Sequence, residues 1–108
     1  MQAASPPANI YEGNGEISVA IPIPGAHPVN TELLVTPRQL QVEADCKYPQ
    51  ESQHYHRHDW QVGSWRATID LPKAVDPARA KATLNLGVLV FMAPVAEGAD
   101  GQQRLRPS

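Results

Sequence analysis

The stretch ATLNLGVLVFMAP, residues 82–94, decides the fold class of this chain. Apolar residues hold every second position from Ala80 to Leu86, and polar residues stand between them. Alternation of period two is the pattern of a strand with one buried face. Gly87 interrupts the alternation, and the following run from Val88 to Met92 is apolar on both faces. Since a nine-residue helix would be marginal on its own, the stretch predicts two short strands that meet at Gly87.

The same alternation recurs along the chain, in segments 17–23, 40–44 and 65–71. Asn14-Gly15 is typical of a tight hairpin turn, and Trp65 falls on the apolar face of its segment. Eleven prolines and seven glycines cut the chain into short pieces, which disfavours long helices. We therefore predict an all-β fold, an immunoglobulin-like antiparallel β-sandwich.

Composition narrows the classes of function. The chain has 108 residues, enough for one domain, and a formal net charge of -2. No cluster of Lys or Arg stands out, so neither nucleic acid nor a membrane surface is an expected partner. No apolar run has the length of a membrane span. The single cysteine, Cys46, cannot form an internal disulfide, and no signal-peptide pattern is visible. Both observations favour a cytoplasmic location.

The two ends differ from the middle in composition. Residues 1–8 and 97–108 are small, polar and poor in apolar side chains, which predicts a disordered tail at each end. The predicted domain is the segment between them, residues 9–96.

Three motifs occur in a fixed order along this domain. They comprise Pro24 and Gly25, then Gly63, Trp65, Leu71 and Pro72, then Ala82, Gly87, Val88 and Leu89. In order and spacing the series resembles the α-crystallin domain of the small heat-shock proteins. The chain departs from the family's motifs at two positions. Ala67 stands where the second motif has an arginine, and Leu86 stands where the third motif has Asn or Asp before its glycine, Gly87.

The resemblance implies a function and a binding surface. It implies an ATP-independent chaperone, a holdase that binds partly unfolded client proteins without a cofactor and is not an enzyme. The implied surface is an apolar groove between segments 32–36 and 80–84, with Leu33 and Val35 within reach of solvent. Its expected client-binding residues are Leu33, Val35, Ala80, Ala82 and Leu84.

The resemblance also implies a homodimer, in which the polar segment 46–62 of one subunit pairs with an N-terminal strand of the other. The expected interface residues are Ile10, Tyr11, Tyr55, His56, Arg57, His58, Asp59 and Trp60. In the family, an I-x-I motif in the C-terminal tail joins subunits into larger assemblies. Here the tail reads Arg104-Leu105-Arg106, so we expect assembly to stop at the dimer.

Two alternatives stay open at this point. One is an adaptor of similar fold that binds a single folded partner. The other is a metal-binding protein that uses His54, His56 and His58, or an interface that senses pH through them. Imidazoles at alternate positions of a strand share a face but stand about 6.5–7 Å apart, so they converge poorly on one ion. We predict no metal site, and the chain lacks the glycine-rich phosphate loop of an ATP site.

Overall fold

Eight β-strands form two four-stranded antiparallel sheets in the part of the chain that the structure describes. This computed structural model describes residues 6–45, 54, 56–57 and 64–108. The strands are β1 (Asn9–Gly13), β2 (Glu16–Pro22), β3 (Thr31–Thr36), β4 (Gln39–Ala44), β5 (Trp65–Asp70), β6 (Lys81–Asn85), β7 (Val88–Pro94) and β8 (Gln103–Leu105). One sheet has the order β1-β2-β7-β6 and the other the order β5-β4-β3-β8.

The core lies between the two sheets and is made of the alternate apolar residues of each strand. Strand β2 shows the pattern clearly, because Ile17, Val19 and Ile21 are fully buried while the residues between them are not. Phe91 of β7 and Leu40 of β4 are also fully buried. The predicted strands and the predicted sandwich are therefore confirmed.

Tight turns with positive φ join the strands of both outer hairpins. Asn14 (φ 55°) and Gly15 (φ 76°) connect β1 to β2, as the sequence predicts. Leu86 (φ 54°) and Gly87 (φ 79°) connect β6 to β7. Two successive residues of positive φ match the right-handed twist of the strands. Asn and Gly tolerate this conformation, whereas a leucine there is strained.

In the described residues, two short 3-10 turns precede strands β6 and β3. In the turn Pro77–Arg79 the Asp76 carboxylate accepts from the backbone N–H of Ala78 at 3.0 Å, and proline stands where no N–H is needed. The turn ends at Ala80, which directly precedes β6. A second turn, Pro28–Asn30, precedes β3.

Trp65 is buried, as predicted, with 8% of its surface exposed. Its indole N–H donates to the carbonyl oxygen of Pro24 at 3.2 Å, which ties β5 to the turn that follows β2. Ala67, at the position of the family's arginine, is half-buried beside the core. Arg66 lies on the opposite face and pairs with Glu43.

Candidate functional site

The five predicted groove residues come together where β3 of one sheet faces β6 of the other. Leu33 and Val35 are fully buried, and Ala80 and Ala82 are 7% and 6% exposed. Leu84 is half-buried and packs against the same core cluster. The role of these five residues as the walls of a client groove stays a prediction, and the sequence did not show what lies between their two strands.

The groove is filled by the chain's own C-terminal segment. Strand β8 pairs with β3 in antiparallel register, with Leu105 opposite Leu33 and Gln103 opposite Val35. Three residues further along, the Ser108 N–H donates to the Ala82 carbonyl at 3.0 Å, and the Leu84 N–H donates to the Ser108 carbonyl at 3.1 Å. The segment therefore satisfies backbone groups on the edges of both sheets.

Side chains of the segment alternate between the groove and solvent, as a strand requires. Leu105 packs against the core cluster and Pro107 is buried, whereas Arg104 and Arg106 are exposed. The Gln103 amide, oriented to donate, reaches the carbonyl oxygens of Pro77 and Ala78. Two apolar residues spaced two apart thus occupy the groove, although the segment has no I-x-I motif.

Two predictions about this region were wrong. The tail 97–108 is not disordered throughout, because Gln103–Leu105 forms a strand and Pro107 is buried. Leu33 and Val35 are not within reach of solvent, because both are fully buried in the core and β8 pairs along the edge of β3. The order of the tail comes from long-range pairing with β3 and β6, which composition does not reveal. The detectable signals were Gly98 and Gly101, both of positive φ, ahead of a short alternating segment.

The predicted dimer residues of the N-terminal strand are accessible. Ile10 is 43% exposed and Tyr11 is 53% exposed. Strand β1 is the outermost strand of its sheet and, in the described residues, pairs with β2 alone. The Lys73 ammonium donates to the Glu12 carboxylate at 2.9 Å. This hydrogen bond, with the negative charge of Glu12, raises the pKa of Lys73.

The rest of the predicted interface is only partly described. His56 and Arg57 are exposed, while Tyr55, His58, Asp59 and Trp60 lie outside the described residues, as does Cys46. The rings of His54 and His56 meet edge to face, with centroids 5.4 Å apart. Within the described ranges no group of three His, Cys, Asp or Glu side chains could hold a metal ion. Because His58 is not among them, the histidine alternative stays a prediction.

No helix in the described ranges is long and apolar enough to cross a lipid bilayer.

Known structures share this fold. The chain is similar to heat shock protein 16.0 from Schizosaccharomyces pombe, with 21% identity, a TM-score of 0.78, and coverage of 90% of this chain and 71% of that one. It is similar to HspA from Xanthomonas axonopodis, with 21% identity, a TM-score of 0.79, and coverage of 91% and 100%. A small heat-shock protein from Xylella fastidiosa gives 23% identity, a TM-score of 0.72, and coverage of 91% and 92%. No curated protein sequence matches the chain.

The family model described as "Hsp20/alpha crystallin family" matches residues 9–105. The match spans β1 to the end of β8, so it includes both the sandwich and the strand that fills the groove. The chain therefore belongs to the Hsp20/alpha crystallin family, a family of chaperones that are not enzymes.

Proposed function

We propose that this chain is an ATP-independent holdase that takes extended apolar segments of unfolding proteins into the groove between β3 and β6. The observation that carries the proposal is the occupied groove itself. An extended segment already lies there, with Leu105 against the core and Pro107 buried. A surface that holds one such segment by strand pairing and apolar contact has the chemistry to hold another.

A partly unfolded client offers the same two features, exposed apolar side chains and unpaired backbone groups. To bind in the groove it must displace the tail. The tail places only two apolar side chains in the groove, the half-buried Leu105 and the buried Pro107. A client segment with two large aliphatic side chains would bury more apolar area in their place. Capture needs no nucleotide, because exchange of one strand for another consumes none.

The direct test is light scattering of two unrelated proteins during thermal denaturation, with and without this chain. We expect suppressed scattering for both clients at near-stoichiometric chain, and no change when ATP is added. Unchanged scattering for both clients would contradict the holdase proposal. Protection of a single client through one saturable complex would favour the adaptor alternative instead.

Single substitutions separate the groove from the rest of the surface. Leu105→Ser removes an apolar side chain that holds the tail in the groove. The concentration of this chain that halves client scattering should therefore fall about fivefold. Leu34→Ser is the matched control, because Leu34 is half-buried on the outer face of β3, the strand that pairs with β8. Val35→Glu is unsuitable as a test, since Val35 is fully buried and a charge there would destabilise the fold. Equal protection by Leu105→Ser and the unaltered chain would argue against the groove as client site.

We further propose that the chain acts in the cytoplasm as a homodimer, with segment 46–62 of one subunit paired to β1 of the other. The exposure of Ile10 and Tyr11 on an outermost strand supports this arrangement. An edge strand of this kind needs a partner or a cover to avoid uncontrolled pairing. A strand from a second subunit related by a two-fold axis would supply one to each edge.

A further inference from the structure

A row of four charged side chains crosses the outer face of the sheet that holds the tail. Glu32 of β3 and Glu43 of β4 are register partners, and like charges in that position repel. Arg66 of β5 lies 3.7 Å from Glu43, and Arg104 of the tail lies 3.0 Å from Glu32. Glu43 is therefore paired with an arginine of the sheet itself, whereas Glu32 is paired with an arginine of the tail that fills the groove.

The second arginine of the tail also meets an acidic surface. The Arg106 guanidinium donates to the carbonyl oxygen of Val29 at 3.1 Å. It borders a depression that is also lined by Glu32, Glu43 and Asp45. Once the tail leaves, three carboxylates flank the β3 side of the groove without either tail arginine. That rim would attract a basic segment and repel an acidic one.

Alternate residues of the segment in the groove meet two different surfaces. Apolar packing selects the side chains that face the groove, and charge selects those that face the acidic rim. Positions 105 and 107 face the groove and are apolar, while positions 104 and 106 face the acidic rim and are basic. On the opposite wall the outward residues of β6 are Lys81, Thr83 and Asn85, which include no acid.

We propose that the groove selects extended segments in which basic residues alternate with apolar ones, and that Glu32 and Glu43 determine this specificity. The inference rests on the proposed function, because it names the kind of client segment that the same groove prefers. Exposed ion pairs are weak one at a time. The Arg104–Glu32 pair, the Arg106 charge beside the acidic depression and relief of the Glu32–Glu43 repulsion should together give a preference of about threefold to tenfold at low salt.

The test uses the full chain carrying Leu105→Ser and Pro107→Ser, which weaken the attached tail, and three labelled peptides. The peptides are GQQRLRPS, its neutral form GQQQLQPS and its acidic form GQQELEPS, and affinity is read by fluorescence anisotropy. We expect the basic peptide to bind about threefold to tenfold more tightly than the neutral one, and the acidic peptide to bind least. About 0.5 M salt should remove most of the difference.

Substitution of the rim provides the control. Glu32→Gln should reduce the preference for the basic peptide, whereas Glu12→Gln, which removes a carboxylate from the far edge strand β1, should leave it intact. Should the doubly substituted chain fail to fold, the unaltered chain should give the same ranking at higher peptide concentrations, since each peptide then competes with the tail. Equal binding of all three peptides would overturn the charge specificity and leave the holdase groove standing. Binding of none would overturn the groove itself, and the scattering assay would then decide the holdase activity separately.

Discussion

The two outermost strands of the β1-β2-β7-β6 sheet share a position in the fold but not an environment. Each is the outer strand of a hairpin with a two-residue turn of positive φ. Strand β6 is covered, because Ser108 is bonded to Ala82 and Leu84 of β6. Strand β1 is exposed at all five residues. The comparison shows that, among the described residues, one edge is closed from within the chain, whereas the other is left uncovered.

The largest expected effect concerns the exposed edge. Deletion of residues 50–60 should convert a dimer into a folded monomer, because it removes the segment proposed to pair with β1 of the partner subunit. Size exclusion coupled to light scattering should show the mass fall by half, with the circular dichroism of a β-sandwich retained. A dimer that survives the deletion would place the interface elsewhere and remove the contrast between the two edges.

A charge placed on the tail that covers the β6 edge should lower the stability of the fold more than a charge placed on exposed surface. Leu105→Asp puts a carboxylate against the core, so we expect the free energy of unfolding in urea to fall by about 2 kcal/mol. Val88→Asp is the matched control, because Val88 is 38% exposed on the outer face of β7. It should change stability by less than about 0.5 kcal/mol. Equal losses in the two variants would mean that the tail contributes no specific packing.

Backbone amides provide a finer measure of the same contrast. The Leu84 N–H donates to the Ser108 carbonyl, so its hydrogen exchange should depend on the tail. In Leu105→Ser we expect exchange at Leu84 to speed up about tenfold, equivalent to the loss of about one net hydrogen bond. The amides that pair β1 with β2 should keep their rates. Faster exchange on both edges would indicate global destabilisation rather than release of the tail.

The smallest effect is expected at the two turns. Leu86 has a φ of 54° and is 94% exposed, so its side chain gains little packing for the strain. Leu86→Asn should raise stability by about 1 kcal/mol, and Asn14→Leu should lower it by a similar amount. Thermal unfolding of the two variants and of the unaltered chain would measure both changes. A loss of stability in Leu86→Asn would show that Leu86 makes a contact that its exposure hides.

Most of the sandwich could be predicted from the sequence, because each strand carries its own signal. The alternation of Ile17, Val19 and Ile21 identifies β2 without reference to the rest of the chain. Strand β8 carries almost no such signal in its sequence, since Leu105 is its only large apolar residue. Its partners on β3 lie some 70 positions away, as the Arg104–Glu32 pair shows. The strands of the sandwich were therefore predictable, while the pairing of the tail with β3 and the charge row required the structure.

Closure of the groove by a covalently attached segment also makes it insensitive to dilution. Leu105 follows the last core strand, β7, by about ten residues, and a short tether of this kind holds a ligand at an effective concentration on the order of millimolar. Dilution of the protein does not lower that value, whereas an unattached segment would compete only at its own bulk concentration. Under the proposed function, client occupancy of the groove would therefore rise only as unfolded protein accumulates, and a low background of unfolded chains would leave the tail in place.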